Sequence, residues 1–152
     1  MKIHFHLSWA DASHAKNLLK SFKSRPAAEI FADYLSRISA FVPSSVSGRM
    51  DPLAKKPGDL VWICHRGKAS RALSSEDLAG LLERGTPGSR ELHSIVGPPD
   101  GFSPAEIDGY KPDLLWSFGP LTLPHELAAL IAAEQIYRAW TILRHLPYHS
   151  GH

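Results

Sequence analysis

The chain has 152 residues, 43% of them hydrophobic and 21% charged, with a formal net charge of +2. That composition fits one ordinary globular domain, spanning residues 1–152, with enough chain to bury a core. A run of about 18 apolar residues, as a membrane helix needs, is missing, as are a second cysteine to pair with Cys64 and a leader-like apolar stretch near Met1, so a cytoplasmic protein without disulfides is expected.

Lys2 to Leu7 alternates Ile3, Phe5 and Leu7 with His4 and His6, the pattern of a half-buried strand. Ala12–Phe22 and Pro26–Phe41 have helical character; in the second, Ile30, Tyr34, Ile38 and Phe41 share a face and Pro26 suits a first turn. Val42–Pro57, rich in Ser, Pro, Gly and Lys, reads as loop. Leu60–Cys64 is a short continuous apolar run, as in a strand covered on both faces. Ser74 with Asp77 marks a helix start, and Gly85 its end. Leu92–Val96 is a further strand, followed by the turn cluster Gly97–Gly101. Ser103, Pro104 and Glu106 open a short helix limited by Gly109 and Pro112. Leu114–Ser117 is the last strand. After the stiff loop Gly119–Pro124 comes the longest helix, Pro124–Leu143, with Leu127, Leu130, Ile131, Tyr137 and Trp140 supplying much of its apolar side. Strands alternating with helices predict an α/β fold, a mainly parallel sheet with helices on both faces. Ligands of such sheets sit at the carboxyl ends of strands, after Cys64, Val96 and Ser117.

Two of those three loops are rich in Gly and Pro. Gly97–Gly101 brings backbone close to a ligand, or is a plain strand-to-helix turn; it is neither a dinucleotide fingerprint nor a phosphate loop. Gly119–Pro124 fixes its amides and carbonyls with two prolines, which suits a flat adenine edge between Leu121 and Leu123, or merely connects strand to helix. His145 and His149 are four apart, but Pro147 between them opposes a helix and no Cys or carboxylate cluster supports them, so no metal is expected. His4, His6, His14, His65, His93 and His125 look scattered. Residues 1–75 carry 12 Lys/Arg against 5 Asp/Glu, and residues 76–152 carry 5 against 10, so the N-terminal half is the better face for a polyanion.

Over residues 91–149 the sequence resembles the SPOUT-class 23S ribosomal RNA pseudouridine N3-methyltransferases, the bacterial large-subunit methyltransferases of type H. The residues carrying the resemblance are Val96-Gly97, Pro99, Gly101, Ser103-Pro104, Trp116-Ser117, Leu121 through His125, Ala132 through Glu134, Ile136 through Trp140, and Pro147 through His149. The resemblance implies a C-terminal trefoil knot, a homodimer with an active site shared between subunits, a 23S rRNA or ribosomal substrate, and S-adenosyl-L-methionine (SAM) as cofactor. It places the cofactor against Ile63, Gly97, Pro98, Gly119, Pro120, Leu121, Thr122, Leu123 and Pro124, and places His149, Tyr148 and Arg138 near the target base. His149 is then the candidate to take the imide proton, and Tyr148 and Arg138 are candidates to donate to the base or stack on it. Trp140 on the last helix is a candidate anchor of the dimer interface.

The sequence departs from the family at Pro98, where a second Gly is usual, at Cys64, where an acid is usual, and at Ser150, where a basic residue is usual. The early Gly-Lys turn is replaced by Leu7-Ser-Trp9, and the basic segment is reduced to Arg49 and Lys55-Lys56. Alternatives of other classes therefore stand beside the enzyme: a non-catalytic or altered-specificity paralogue that binds RNA or ribosomes, or a methyltransferase of small molecules.

Overall fold

The computed structural model describes residues 1–11, 17–88 and 90–150. Six strands form one sheet: β1 (Lys2–Leu7), β2 (Ser44–Ser47), β3 (Leu60–Cys64), β4 (Arg71–Ala72), β5 (Glu91–Val96) and β6 (Leu114–Ser117). Their order is β2-β1-β5-β3-β6-β4, and every neighbouring pair is parallel. Among the described residues four α-helices complete it: α1 (Arg25–Ser39), α2 (Ser75–Gly85), α3 (Pro104–Tyr110) and α4 (His125–Leu143).

The helices begin where short polar side chains cap them. Ser24 accepts from the amide of Ala27, Ser74 from that of Asp77 and Ser103 from that of Glu106, and the Glu106 carboxylate in turn accepts from the Ser103 amide, completing a capping box. The capping residue of α3 at its far end, Lys111, adopts φ 49°, and Pro112 follows. At the end of α2, Gly85 packs against the Leu60 and Met1 side chains, and a Cβ there would force the Leu60 Cδ1 methyl aside.

The sheet separates two cores because successive strand residues point to opposite faces. Ile3, Phe5 and Leu7 of β1, Trp62 of β3 and Leu92 of β5 face one layer, where Phe31, Leu82 and Ile136 of α1, α2 and α4 pack. Val61, Ile63 and Ile95 face the other, beneath Ile107 and Tyr110 of α3. Helices thus cover both faces, as expected.

Several expectations are corrected. The loop expected over 42–57 contains β2, a mostly polar edge strand formed by its ladder to β1 and tied by serine side chains to α1 and β1, and a 3₁₀ turn at Pro52–Ala54. The two-residue β4 exists by pairing with β6. Of the helix expected over 12–22, residues 12–16, including His14, lie outside the described residues, and Leu18–Ser21 forms a 3₁₀ turn. Of the large residues assigned to the apolar side of the last helix, Trp140 is buried and the other four are not fully covered. Leu127 is 42% exposed, Leu130, Ile131 and Tyr137 are half-buried, and the covered stripe is Ala129, Ala132, Ala133, Ile136, Ala139 and Trp140. Small side chains let α4 approach the sheet and its neighbours α1 and α2. Trp140 is 3% exposed and stacks on Phe41 within the chain's own core, so it cannot present itself as a dimer anchor. Three of the supposedly scattered histidines, His4, His6 and His93, meet on the second face of β1 and β5.

Candidate functional site

A cleft of about 410 Å3 opens at the carboxyl ends of β3, β5 and β6, within the range of pockets that hold nucleoside-sized ligands. Its walls are the segments at and after the strand ends (Cys64–Arg66, Val96–Phe102, and Phe118, Gly119 and Leu121–Leu123), with Trp116 and the start of α4 at His125 and Ala128. The strands deliver these loops side by side because all run the same way.

The third loop turns at a glycine and is braced by hydrogen bonds. Gly119 takes φ +96°, a conformation side chains resist, and a side chain there would extend into open space. Ser117 Oγ accepts from the Gly119 amide at 3.1 Å. From the first loop, Arg66 donates to the Pro120 carbonyl at 3.1 Å and to the Thr122 hydroxyl, tying the segments after β3 and β6 together. In the middle loop the Gly101 amide closes a turn onto the Pro98 carbonyl at 2.8 Å. Trp116 meets Phe118 edge-on with centroids 4.8 Å apart, and Trp9 meets His125 likewise at 4.5 Å. The cleft therefore combines aromatic and aliphatic side chains (Trp116, Phe118, Leu121, Leu123) with polar ones (His65, Arg66, Asp100, Thr122, His125) and with backbone groups at fixed positions. Burial pushes the Cys64 thiol up to about 12, so it stays protonated and is no nucleophile.

Of the expected cofactor residues, Gly97, Pro98, Gly119, Leu121, Thr122 and Leu123 line this cleft. Ile63 does not: strand alternation turns it into the second core with Ile95, and its neighbour Cys64 takes the cleft wall. Pro120 contributes its carbonyl to Arg66, and Pro124 is the N-cap residue of α4. Sequence reasoning missed His65, Arg66 and Asp100, whose only signal was their position just after strands.

Arg138, Tyr148 and His149 come together, but away from the cleft. Arg138 donates to Glu134 Oε1 from Nε at 2.9 Å and from a terminal nitrogen at 2.6 Å, and Tyr148 donates to the same oxygen at 3.1 Å. The Arg138 guanidinium also lies over the Tyr148 ring, 4.8 Å from its centroid. Burial lowers the Arg138 pKa, but the Glu134 contacts outweigh it and leave the guanidinium more firmly charged than usual. Burial, then the hydrogen bond with Tyr34 and the Glu134 charge, push the Tyr148 phenol well above its ordinary range. An arginine only donates, so His149 Nδ1 accepts from Arg138 at 3.2 Å, and the ring proton sits on Nε2, donated to Glu76 at 2.7 Å. Both ring nitrogens are thus engaged. His149 can take a proton only after its Arg138 contact opens. Ten residues separate Ala128 at the cleft from Arg138, about 15 Å along the helix axis at about 1.5 Å per residue.

Among the described residues, no helix is long and apolar enough to cross a membrane. The model of the family described as "Predicted SPOUT methyltransferase" matches residues 18–149. The chain is 49% identical over 81 residues to a ribosomal RNA large subunit methyltransferase H of Stenotrophomonas maltophilia, covering 53% of this chain and 51% of that protein. It is 46% identical over 77 residues to the protein of that name in Pseudomonas entomophila, covering 51% and 48%. The chain spans about half the length of the curated relatives it matches. A solved chain from Legionella pneumophila, described as a methyltransferase in complex with bound SAM, aligns over 92% of this chain and 66% of that one, with TM-score 0.44 and 18% identity.

Proposed function

The chain belongs to the SPOUT methyltransferase family, and from that premise we propose that it methylates N3 of a pseudouridine in 23S ribosomal RNA, using SAM, as a homodimer. The cleft at the three strand ends, built on the stiff Gly119–Pro124 loop, is the observation that carries this reading. The names of the curated relatives support the ribosomal substrate, and a ribosomal substrate carries with it a cytoplasmic site of action.

The cleft fits the cofactor: Gly119 leaves open a space that a side chain would fill, and Leu121 and Leu123 flank fixed backbone groups suited to an adenine edge. When bound, SAM supplies an electrophilic methyl group. Gly97, Pro98, Gly119, Leu121, Thr122 and Leu123 hold it by shape and by backbone contact, with Ile63, Pro120 and Pro124 supporting from behind. The imide nitrogen of the base must lose its proton, and the charge left spreads onto two carbonyl oxygens. Arg138, pinned by Glu134, and Tyr148, kept neutral, are donors for those oxygens. His149 receives the proton once released from Arg138.

The separation of about 15 Å along α4 between cleft and tail supports a shared site. In this reading the tail of one subunit serves the cleft of the other, and the exposed Leu127 and Leu121 near the cleft are covered by the second copy. We also propose a trefoil knot. Its support is the strand order: β6 slots between β3 and β4, which are consecutive in the chain, and the intervening loop bonds through Arg66 to the segment beyond β6. A second reading, a SPOUT dimer that binds RNA without transferring methyl, is favoured by the engagement of both His149 nitrogens and by Pro98, which offers no amide.

Three measurements test this. Calorimetric titration of the full chain with SAM yields saturable binding, weakened at least tenfold by Gly119→Val; absence of heat refutes the cofactor assignment. Labelled methyl groups enter 23S rRNA of purified ribosomes lacking the modification, and cofactor binding without incorporation establishes the second reading. Sedimentation showing only a 16.7 kDa species removes the shared site.

A further inference from the structure

On the second face of the sheet, on the adjacent inner strands β1 and β5 and the turn before β3, five side chains able to bind metal crowd together outside the cleft: His4 and His6 of β1, Glu91 and His93 of β5, and Asp59 just before β3. His6, His93 and Asp59 are at most 8% exposed. Burying so many ionisable groups in a sheet face is costly unless each finds a partner.

Some pairs are hydrogen-bonded. His93 Nε2 lies 3.1 Å from Asp59 Oδ2, His93 Nδ1 lies 2.9 Å from His6 Nε2, and His6 Nδ1 lies 2.9 Å from Ser47 Oγ. One contact is not a hydrogen bond. His4 Nε2 is shielded from solvent and has no hydrogen-bond partner, although Glu91 Oε2 is 3.3 Å away. Two ligands at about 2.0–2.1 Å from one tetrahedral ion are themselves ~3.3 Å apart. The His4–Glu91 and His93–Asp59 spacings both match that edge.

We infer that Asp59, Glu91 and His93, with His4 as the fourth ligand after a small side-chain shift, form a structural site for a divalent transition-metal ion such as zinc. Ligand atoms of Asp59, Glu91 and His93 all lie within 4.8 Å of one another. Two imidazoles and two carboxylates, without thiolate, suit zinc and also cobalt or nickel.

The surroundings supply the second layer such sites need. His4 Nδ1 is 2.7 Å from Ser45 Oγ, a hydroxyl that can accept the ring proton there and so free the Nε2 lone pair for an ion. A metal on His93 Nε2 displaces that nitrogen's proton. His6 then passes its Nε2 proton to His93 Nδ1 and takes up at its own Nδ1 a proton equivalent to the one displaced, so that His93 donates from Nδ1 to His6 Nε2 and His6 donates from Nδ1 to Ser47. Every imidazole stays neutral and every nitrogen stays satisfied, and oriented imidazoles of this kind raise metal affinity. Met1–Leu7, the turn before β3 and β5 are fastened at one point. The ion lies at the ends of the strands opposite Cys64 and Val96, so it takes no part in the cleft.

The test uses the untagged full chain, stripped with chelator. Titration with zinc chloride is expected to show one ion per chain, and cobalt substitution the intense visible bands of tetrahedral coordination. His93→Gln, Asp59→Asn and His4→Gln each weaken zinc binding by more than about tenfold, whereas His145→Gln in the tail leaves it unchanged. No saturable binding by the stripped wild-type chain overturns the site, and that result does not depend on any variant folding. Binding that is lost with His145→Gln and kept with His93→Gln overturns it too.

Discussion

Replacing Glu134 by Gln isolates what holds the C-terminal tail. Glu134 Oε1 receives two bonds from Arg138 and one from Tyr148, and Oε2 receives one from Gln135 at 2.7 Å. The Arg138 and Glu134 side chains are 15% and 19% exposed, so water reaches the pair but sparingly. Glutamine keeps one acceptor oxygen and removes the charge, leaving Arg138 shielded without its anion. Breaking a fully buried pair costs about 3–5 kcal/mol, and a charged hydrogen bond contributes about 1.5–3 kcal/mol. Partial exposure screens the loss, so about 2 kcal/mol is expected. For a domain of this size that lowers the melting temperature by about 4–8 °C. Calorimetric or denaturant unfolding of the full chain reads it out. The Glu134→Gln/Arg138→Met double variant should recover part of the loss, because no uncompensated cation remains. A change below about 0.5 kcal/mol for Glu134→Gln, the size of an ordinary surface substitution, refutes the reasoning. So does strict additivity in the double variant.

Trp140→Ala should cost about 3–5 kcal/mol in unfolding free energy while leaving the sedimentation coefficient of the native protein unchanged, since the indole fills the chain's own core; loss of an oligomer without loss of stability would return Trp140 to an interface. In the capping box of α3, the Ser103 amide, then the Ser103 side chain and Arg49, hold the Glu106 carboxyl below its ordinary value of 4.5. A depressed carboxylate adds stability above its unfolded value and loses it as pH falls through the folded one. The gap between wild type and Glu106→Gln in denaturation midpoint should be full above pH 4.5 and close as pH falls below it; a gap independent of pH would show that charge is not what Glu106 contributes.

Much of the fold was legible because the local signals were physical ones. Alternation gave β1, an unbroken apolar run gave β3, and Ser74 and Ser103 marked helix starts that the structure caps as expected. β2 and β4 were illegible because Ser44–Ser47 and Arg71–Ala72 have no strand pattern of their own; their neighbours' edges impose the conformation. The buried face of α4 was misjudged because size was taken for burial, whereas close helix packing selects alanine. In the cleft, Gly119 and its loop stood out through Gly and Pro, but Ile63 was placed one residue from the wall that Cys64 occupies. The His4–His6–His93 cluster could not be read at all. It spans two strands 87 residues apart, joined only by sheet register.

The slot between β3 and β4 has a further consequence for how the chain is made. β6 hydrogen-bonds to both flanking strands, yet it is synthesised after all the others. Until residues 114–117 emerge from the ribosome, β3 shows an unpaired edge and β4 has no partner. Such edges recruit foreign strands, and distant pairings close slowly. A chain released before β6 would therefore be an aggregation hazard instead of a smaller working domain, and chaperone dependence should concentrate in the interval before the last forty or so residues are complete.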